Sequence, residues 1–265
     1  MKSVLDAKLW RDMYRSKWML LAIVGIVAVG VGCFNGMLSV YYNLYFAQES
    51  YFSKCRMADF WIEVKKVPAI EAERIEKVDG VSEICTRITS EVTVDLDNVE
   101  SPIGGKIVSL PAVNTPVVNN IVLRRGSYFS DKKLEDVIVS EKFAKKRNII
   151  PGSYVKLVMN GVLKNMFVVG TAISSEYMYY TPPGRSSPDD DNYGIFWVKK
   201  EFAENVFNSS GACNEIVGIL TPEGKKNAQL ITDKIKTCLI STEFLSKPSV
   251  KTRNHALHCV LNCSS

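Results

Sequence analysis

From Trp18 to Gln48 the chain carries no charged side chain, and Trp18 to Phe34, WMLLAIVGIVAVGVGCF, is apolar apart from its glycines. A helix rises about 1.5 Å per residue and the hydrocarbon layer of a bilayer is about 30 Å thick, so ~20 such residues cross it. A soluble core rarely holds a helix that is apolar on every side. The expectation is therefore a transmembrane helix over residues 18–42. Trp18 at one end and Tyr41 and Tyr42 at the other, with Tyr45 beyond, are the amphipathic aromatics that settle at the headgroup level.

The flanks set a direction. Lys2, Lys8, Arg11, Arg15 and Lys17 precede the run against Asp6 and Asp12, whereas only Lys54 and Arg56 follow closely. Cations are retained on the cytoplasmic side, so Lys8, Arg11, Arg15 and Lys17 act as topology residues that keep residues 1–17 in the cytoplasm. Everything after Tyr42 then lies outside, beyond the plasma (inner) membrane. Within residues 1–17, Leu5, Leu9 and Met13 recur every four residues beside Trp10 and Tyr14, opposite the basic positions. That is an amphipathic helix suited to the inner membrane face. A cleaved signal is the competing reading, but its apolar region has about 7 to 15 residues and ends in an A-x-A-like site, which is missing. Gly30-Val31-Gly32-Cys33 resembles a lipid-attachment site except that Gly30 stands where Leu is usual. Ala28, Gly32 and Gly36 recur at four-residue spacing, a face on which a second membrane helix can approach closely.

From Ala58 the pattern changes to that of an α+β domain. ADFWIEVKKV alternates as a strand, and Pro68 opens a short helix closed at Asp79-Gly80. VSEICTRITSEVTVDLD reads as one further strand run. GGKIVSLPAV and IVLRRGSYF are short strands interrupted at Pro111, Pro116 and Gly126. Val137–Val139 is a strand running into a helix with Ser140 as its N-cap, and Asn160-Gly161 joins two alternating runs as a hairpin. GIFWV, KKEFAENVF and EIVGIL alternate strand, helix, strand, and Pro222 begins a helix running to Leu239. The fold class expected is α+β, one N-terminal transmembrane helix followed by a mixed, two-lobed extracytoplasmic domain over residues 43–240. The strand–helix–strand at its start and the strand–helix at its end share one sheet, with an inserted lobe at about 103–194.

Candidate chemistry is sparse. The net charge of +5 is dispersed, with no run of five like charges, so no nucleic-acid partner is indicated. Gly104-Gly105-Lys106 lacks both the first glycine and the Ser/Thr of a phosphate loop. Ser lacks a G-x-S-x-G setting, and His255 and His258 are the two histidines. His255, His258, Cys259 and Cys263 have no surrounding apolar pattern to build a metal site, and the Asp189–Asp191 run reads as part of a solvated loop over 181–192. Cys55, Cys85, Cys213 and Cys238 are able to pair only outside the cytoplasm. Asn208-Ser209-Ser210 and Asn262-Cys263-Ser264 are sequons that matter only in a glycosylating host. No catalytic, metal or cofactor-binding residue is expected, and the chain reads as no enzyme.

The order of these parts resembles the FtsX-like or MacB-like family of ABC-transporter permeases. The likeness rests on LDAKLWRDMYRSKWMLLAIVGIVAVGVGCFNGML entering the membrane, YFSKCRMADFWIEVKKVP after it, and VIVSEKFAKKRNIIPGSYVKLVMNGVLKNMFVVGTAISSEYMY in the domain. It implies a permease subunit with a MacB-like outer domain, working with a second permease copy and a separate cytoplasmic ABC ATPase that holds the ATP. An extracytoplasmic adaptor is a further implied partner, and export or signalling the implied task. The family places three more membrane helices after this domain, whereas no apolar run of about 18 residues follows residue 43 here. The segment 241–265 also loses the periodicity of what precedes it. The expectation is a truncated or frame-shifted permease that does not transport alone. The alternatives are a single-pass anchored binding or sensor module and a lipoprotein.

Overall fold

The computed structural model describes residues 4–96, 103–178, 180, 192–240 and 249–252. It divides into two compact units, Met1–Tyr51 and Phe52–Ser265. In the first, helix α1 (Val4–Arg15) is followed at once by helix α2 (Lys17–Lys54). Helical bonding passes through the intervening residue, since Ser16 N–H donates to Asp12 O (3.1 Å) and Leu20 N–H donates to Ser16 O (3.1 Å). The 38 residues of α2 measure about 57 Å, well beyond the ~30 Å of a hydrocarbon core. The β-branched residues and glycines of α2 are poor helix formers in water. In lipid every backbone group must bond internally, which holds such a sequence helical.

The second unit is mixed α+β. Strand β1 (Phe60–Pro68), helix α3 (Ala69–Glu76) and strand β2 (Val81–Arg87) open it. Strand β10 (Ala212–Leu220), helices α6 (Pro222–Lys226) and α7 (Ala228–Ile240) and strand β11 (Ser249–Thr252) complete it. The four strands form one sheet in the order β11-β1-β10-β2, antiparallel throughout. This is a β-α-β-β-α-β, ferredoxin-like arrangement. Its core joins Phe60, Ile62, Ile216 and Leu220 of the sheet to Ala72 and Ile75 of α3 and to Ile231 and Ile235 of α7.

Between β2 and β10 stands a second sheet. It comprises β3 (Thr89–Asp95), β4 (Ile103–Leu110), β5 (Ile121–Gly126), β6 (Asp136–Ser140), β7 (Tyr154–Met159), β8 (Val162–Ser174) and β9 (Tyr193–Lys199). The strand order is β5-β8-β6-β9-β4-β3-β7, and β7 also pairs with β8. Six strands thus close into a ring, with β5 added along the far half of β8. The 13-residue β8 makes closure possible, because its first half pairs with β7 and its second with β5 and β6. All six ring strands, with helices α4 (Glu141–Lys146) and α5 (Lys200–Val206), contribute to one apolar core. Alternate residues of β4, β6 and β9 pack into a second cluster with Phe129 and Tyr177. Strands β6 and β9 are buried on both faces, which is why VIV and IFWV read as unbroken apolar runs.

The hairpin at Asn160-Gly161 has both residues at positive φ, +49° and +75°, as a type I′ turn requires. Other local details differ from the sequence expectation. The run 81–97 is two strands in different sheets, broken at Ile88. Ile88 N–H donates to Ser109 Oγ (2.8 Å) and Ile88 O accepts from Ser109 N–H (2.9 Å), so the crossover leaves no polar group bare. Ser140 occupies the N-cap position without a side-chain cap; its Oγ instead accepts from Ile195 N–H at 3.3 Å. Pro68 ends β1 opposite Ala212 and serves as N-cap rather than first residue of α3. The helix from Pro222 breaks at Asn227, and its cap is Thr221, whose hydroxyl accepts from Gly224 N–H at 3.0 Å. Residues 241–248 and 253–265 lie outside the described residues, while 249–252 between them pair with Phe60–Glu63 of β1.

Gly126 ends β5 at φ +79°, and a Cβ there would lie 2.2 Å from Val169 O; Gly152 at φ +95° has open space around it. Gly152→Ala is expected to cost about 1–2 kcal/mol from the backbone alone. Gly126→Ala, which adds a clash with the neighbouring strand, is expected to cost roughly 3 kcal/mol or more. Thermal unfolding of the two variants in detergent checks the difference, and equal costs would refute the close approach.

Candidate functional site

Two places in the molecule carry features that composition alone would not require. The first is α2. Trp18, Tyr41 and Tyr42, at the ends of the apolar stretch, are all exposed, as are Ala28, Gly32 and Gly36 between them. A Cβ built on Gly32 or Gly36 meets nothing within 4 Å, so no described residue of the first unit covers that face. Lys8, Arg11, Arg15 and Lys17 are exposed before the span. The Lys17 ammonium lies 5.1 Å from the Tyr14 ring centroid and 5.8 Å from that of Trp18, the stacking expected of a cation at a membrane boundary. Among the described residues α2 is the one helix long and apolar enough to cross a membrane.

The second is a buried ionic cluster where the two sheets of the second unit meet. Arg87, on β2, is 3% exposed. It stands opposite Glu215 of β10 in the ladder, and its Nε donates to that carboxylate. Its other two nitrogens grip Glu176, just past β8, as a two-pronged fork, with Nη1 donating to Oε2 at 2.8 Å and Nη2 to Oε1. Glu176 also accepts from Trp61 Nε1 (2.9 Å) and Asn119 Nδ2 (2.9 Å). Lys106 of β4 lies 3.7 Å from Glu215 and about equidistant from the Tyr177 and Tyr180 rings, 5.9 and 5.8 Å away. Two cations thus meet two carboxylates, and the cluster is neutral.

Burial by itself would lower the pKa of Arg87 and raise that of Glu176, since it penalises either charge. Their mutual attraction wins in both cases. Arg87, with Glu176 and Glu215 beside it, is held well above its ordinary value, and Glu176 is held below the usual carboxylate range by Arg87. Asn119 ties the cluster to the start of the unit: its Oδ1 accepts from Ala58 N–H at 2.7 Å, and its own N–H donates to Arg56 O at 2.9 Å. The Tyr177 hydroxyl, buried next to Glu176, has no hydrogen-bond partner among the described residues. Burial raises its pKa strongly and Glu176 adds to the rise.

No group of three metal-ligating side chains comes together among the described residues. Gly104-Gly105-Lys106 lies within β4, with the lysine turned to Glu215, so its backbone N–H groups are not gathered around a phosphate. Cys55, Cys85 and Cys213 are free thiols. Burial pushes the Cys213 thiol up to about 11, which leaves it unreactive at neutral pH. The Asp189–Asp191 run and the His255, His258, Cys259 and Cys263 set lie outside the described residues, as does the Cys238 side chain. Sequence reading missed Arg87, Glu176 and Glu215. The available signal was a charge inside an apolar strand, CTRI and CNEIVGIL, since such a residue must find a partner when buried.

No protein-family model matches the chain, and no curated protein sequence matches it. Solved structures with a similar layout include the extracellular domain of the noncanonic ABC-type transporter YknZ from Gram-positive bacteria. It is 12% identical with a TM-score of 0.46, and the match covers 73% of this chain and 98% of that one. The periplasmic region of MacB from Actinobacillus actinomycetemcomitans is 10% identical with a TM-score of 0.46, covering 77% and 92%. A domain of a putative permease protein from Porphyromonas gingivalis is 14% identical with a TM-score of 0.39, covering 76% and 97%. Likeness at this level assigns neither a family nor an activity to the chain and carries no residue's role across.

The cluster makes two stability predictions. Because the Glu176 pKa is lower folded than unfolded, its contribution is fully present above the unfolded carboxyl value of about 4.3 and is lost as pH falls through the folded value. Glu176→Gln leaves Arg87 half-paired in the core and is expected to cost about 3 kcal/mol at pH 7, with the gap to wild type closing in strong acid. Tyr177→Phe removes an unpartnered hydroxyl and is expected to be neutral or stabilising by up to about 1 kcal/mol. Chemical denaturation from pH 7 to pH 2 checks both, and a pH-independent Glu176→Gln deficit would refute the ionic account.

Proposed function

We propose that the chain is a membrane-anchored permease subunit of an ABC transporter, with α2 as its first membrane helix and the second unit as its extracytoplasmic domain. The observation that carries this reading is α2 itself. It is one unbroken 38-residue helix that begins beside a cluster of exposed cations, stays exposed along its charge-free stretch, and ends in residues belonging to a folded α+β unit. The sequence resemblance stated above supplies the transporter class. The anchor alone would equally serve a single-pass sensor.

In this reading the chain is no enzyme and holds no cofactor. ATP is bound and hydrolysed on a separate cytoplasmic ATPase subunit, and transport or signalling belongs to the complex that this subunit forms with the ATPase and a second permease copy. The N-terminus faces the cytoplasm and the membrane is the plasma (inner) membrane. An extracytoplasmic adaptor would meet the second unit.

Two measurements test it. In membrane vesicles of known sidedness, protease added from outside is expected to digest the second unit and spare an N-terminal tag; the reverse pattern overturns the orientation. Mild detergent extraction from the native membrane is expected to recover an ABC ATPase in stoichiometric amount with the chain. Recovery of the chain without one favours the sensor and overturns the permease reading.

A further inference from the structure

We propose that α1 is an anionic-phospholipid docking element, which binds acidic headgroups of the leaflet that α2 enters and inserts an aromatic edge between them. The proposal rests on the membrane reading of α2 and adds a lipid class to it. Lys8, Arg11 and Arg15 are spaced i, i+3, i+7 and so form one stripe along the helix, and all three are exposed. Asp12 is the one acidic residue from Lys8 to Lys17, so the stripe has little internal charge to neutralise it.

Next to the stripe, Trp10 and Tyr14 stand one turn apart, 72% and 75% exposed, with Met13 44% exposed between them in sequence. Large apolar side chains exposed to this degree on a short helix are costly in water. They are ordinary at a bilayer surface, where the rings reach the acyl boundary while neighbouring cations remain among the headgroups. In the sequence, Leu5 and Leu9 precede Met13 at the same four-residue spacing.

The occupant is chosen by charge and by continuity. Helical bonding passes through Ser16, so Arg15 lies within one turn of Trp18 and Lys8 within about 15 Å of it along the axis. That distance is comparable to one or two Debye lengths at physiological salt, close enough for the stripe to experience the potential of an acidic leaflet. A zwitterionic surface offers the aromatic residues the same boundary but gives the cations no net attraction. Selectivity for anionic lipid is therefore the distinguishing consequence.

The test is hydrogen–deuterium exchange of the full chain in lipid nanodiscs of phosphatidylcholine, with and without about one-third phosphatidylglycerol. Residues 18–42 are expected to be protected in both, which reports the membrane reading separately. Residues 4–15 are expected to exchange about tenfold or more slowly in the anionic discs, with the difference lost at high salt and in Lys8→Gln/Arg11→Gln/Arg15→Gln. Equal exchange of 4–15 in the two compositions, with 18–42 protected, overturns the proposal while sparing the membrane reading. That outcome would fit a stripe whose partner is a protein. Loss of protection at 18–42 in both compositions overturns the membrane reading and the proposal with it.

Discussion

Arg87 cannot sit in this core without its two carboxylates, and their positions explain how one sheet is built into another. The Glu215–Arg87 pair is the last rung of the β10–β2 ladder before the chain leaves at Ile88. Where β2 and β10 would ordinarily be joined by a turn, a closed sheet of more than a hundred residues is inserted instead. Glu176, which follows β8 within that insertion, completes the fork on Arg87. A buried ion pair of this kind adds little over a well-packed apolar alternative, because desolvation offsets most of the attraction. Its effect is on specificity: any packing of the two sheets that moves Glu176 away leaves the buried guanidinium half-paired, at a cost of about 3 kcal/mol.

The neighbouring polar contacts serve the same junction. Asn214 donates from Nδ2 to Thr89 O at 2.6 Å and accepts at Oδ1 from Thr89 N–H at 2.8 Å, so a side chain extends the ladder one rung past Arg87 into the inserted sheet. Ser109 performs the matching task for Ile88 from β4. Backbone groups at a crossover are where a sheet-to-sheet transition ordinarily loses hydrogen bonds. Here Ile88 N–H and both backbone groups of Thr89 bond to the side chains of Ser109 and Asn214, and Ile88 O accepts from the Ser109 backbone.

How much of this was legible depended on the distance over which each feature is decided. The apolar helix, the Asn160-Gly161 turn and the alternation of strands and short helices are fixed by neighbouring residues, and all were readable. The break at Ile88 was not, because VSEICTRITSEVTVDLD keeps its strand pattern across the crossover; only partners at Ser109 and Asn214 reveal it. Ser140 shows the same limit on a smaller scale. Its position before α4 predicts a cap, yet a neighbouring strand supplies Ile195 N–H and takes the hydroxyl. Closure of the ring is a matter of β8 pairing with three strands, which no local pattern records. The face of Ala28, Gly32 and Gly36 was readable as a pattern, but its use depends on molecules outside the chain.

An exposed membrane helix places different demands on its different faces. Lipid tails solvate the Ile, Val and Phe side chains of α2 as well as another helix would, so its bulky faces impose no demand for a partner. The small-residue face differs physically. Beside Gly32 and Gly36 the backbone is reachable, and a second helix can gain close dispersion contacts and weak Cα–H hydrogen bonds that mobile acyl chains fill poorly. Such a face admits any second helix, a copy of this one included. The gain is set by how closely the two backbones approach, so it falls sharply if a Cβ is added at the contact.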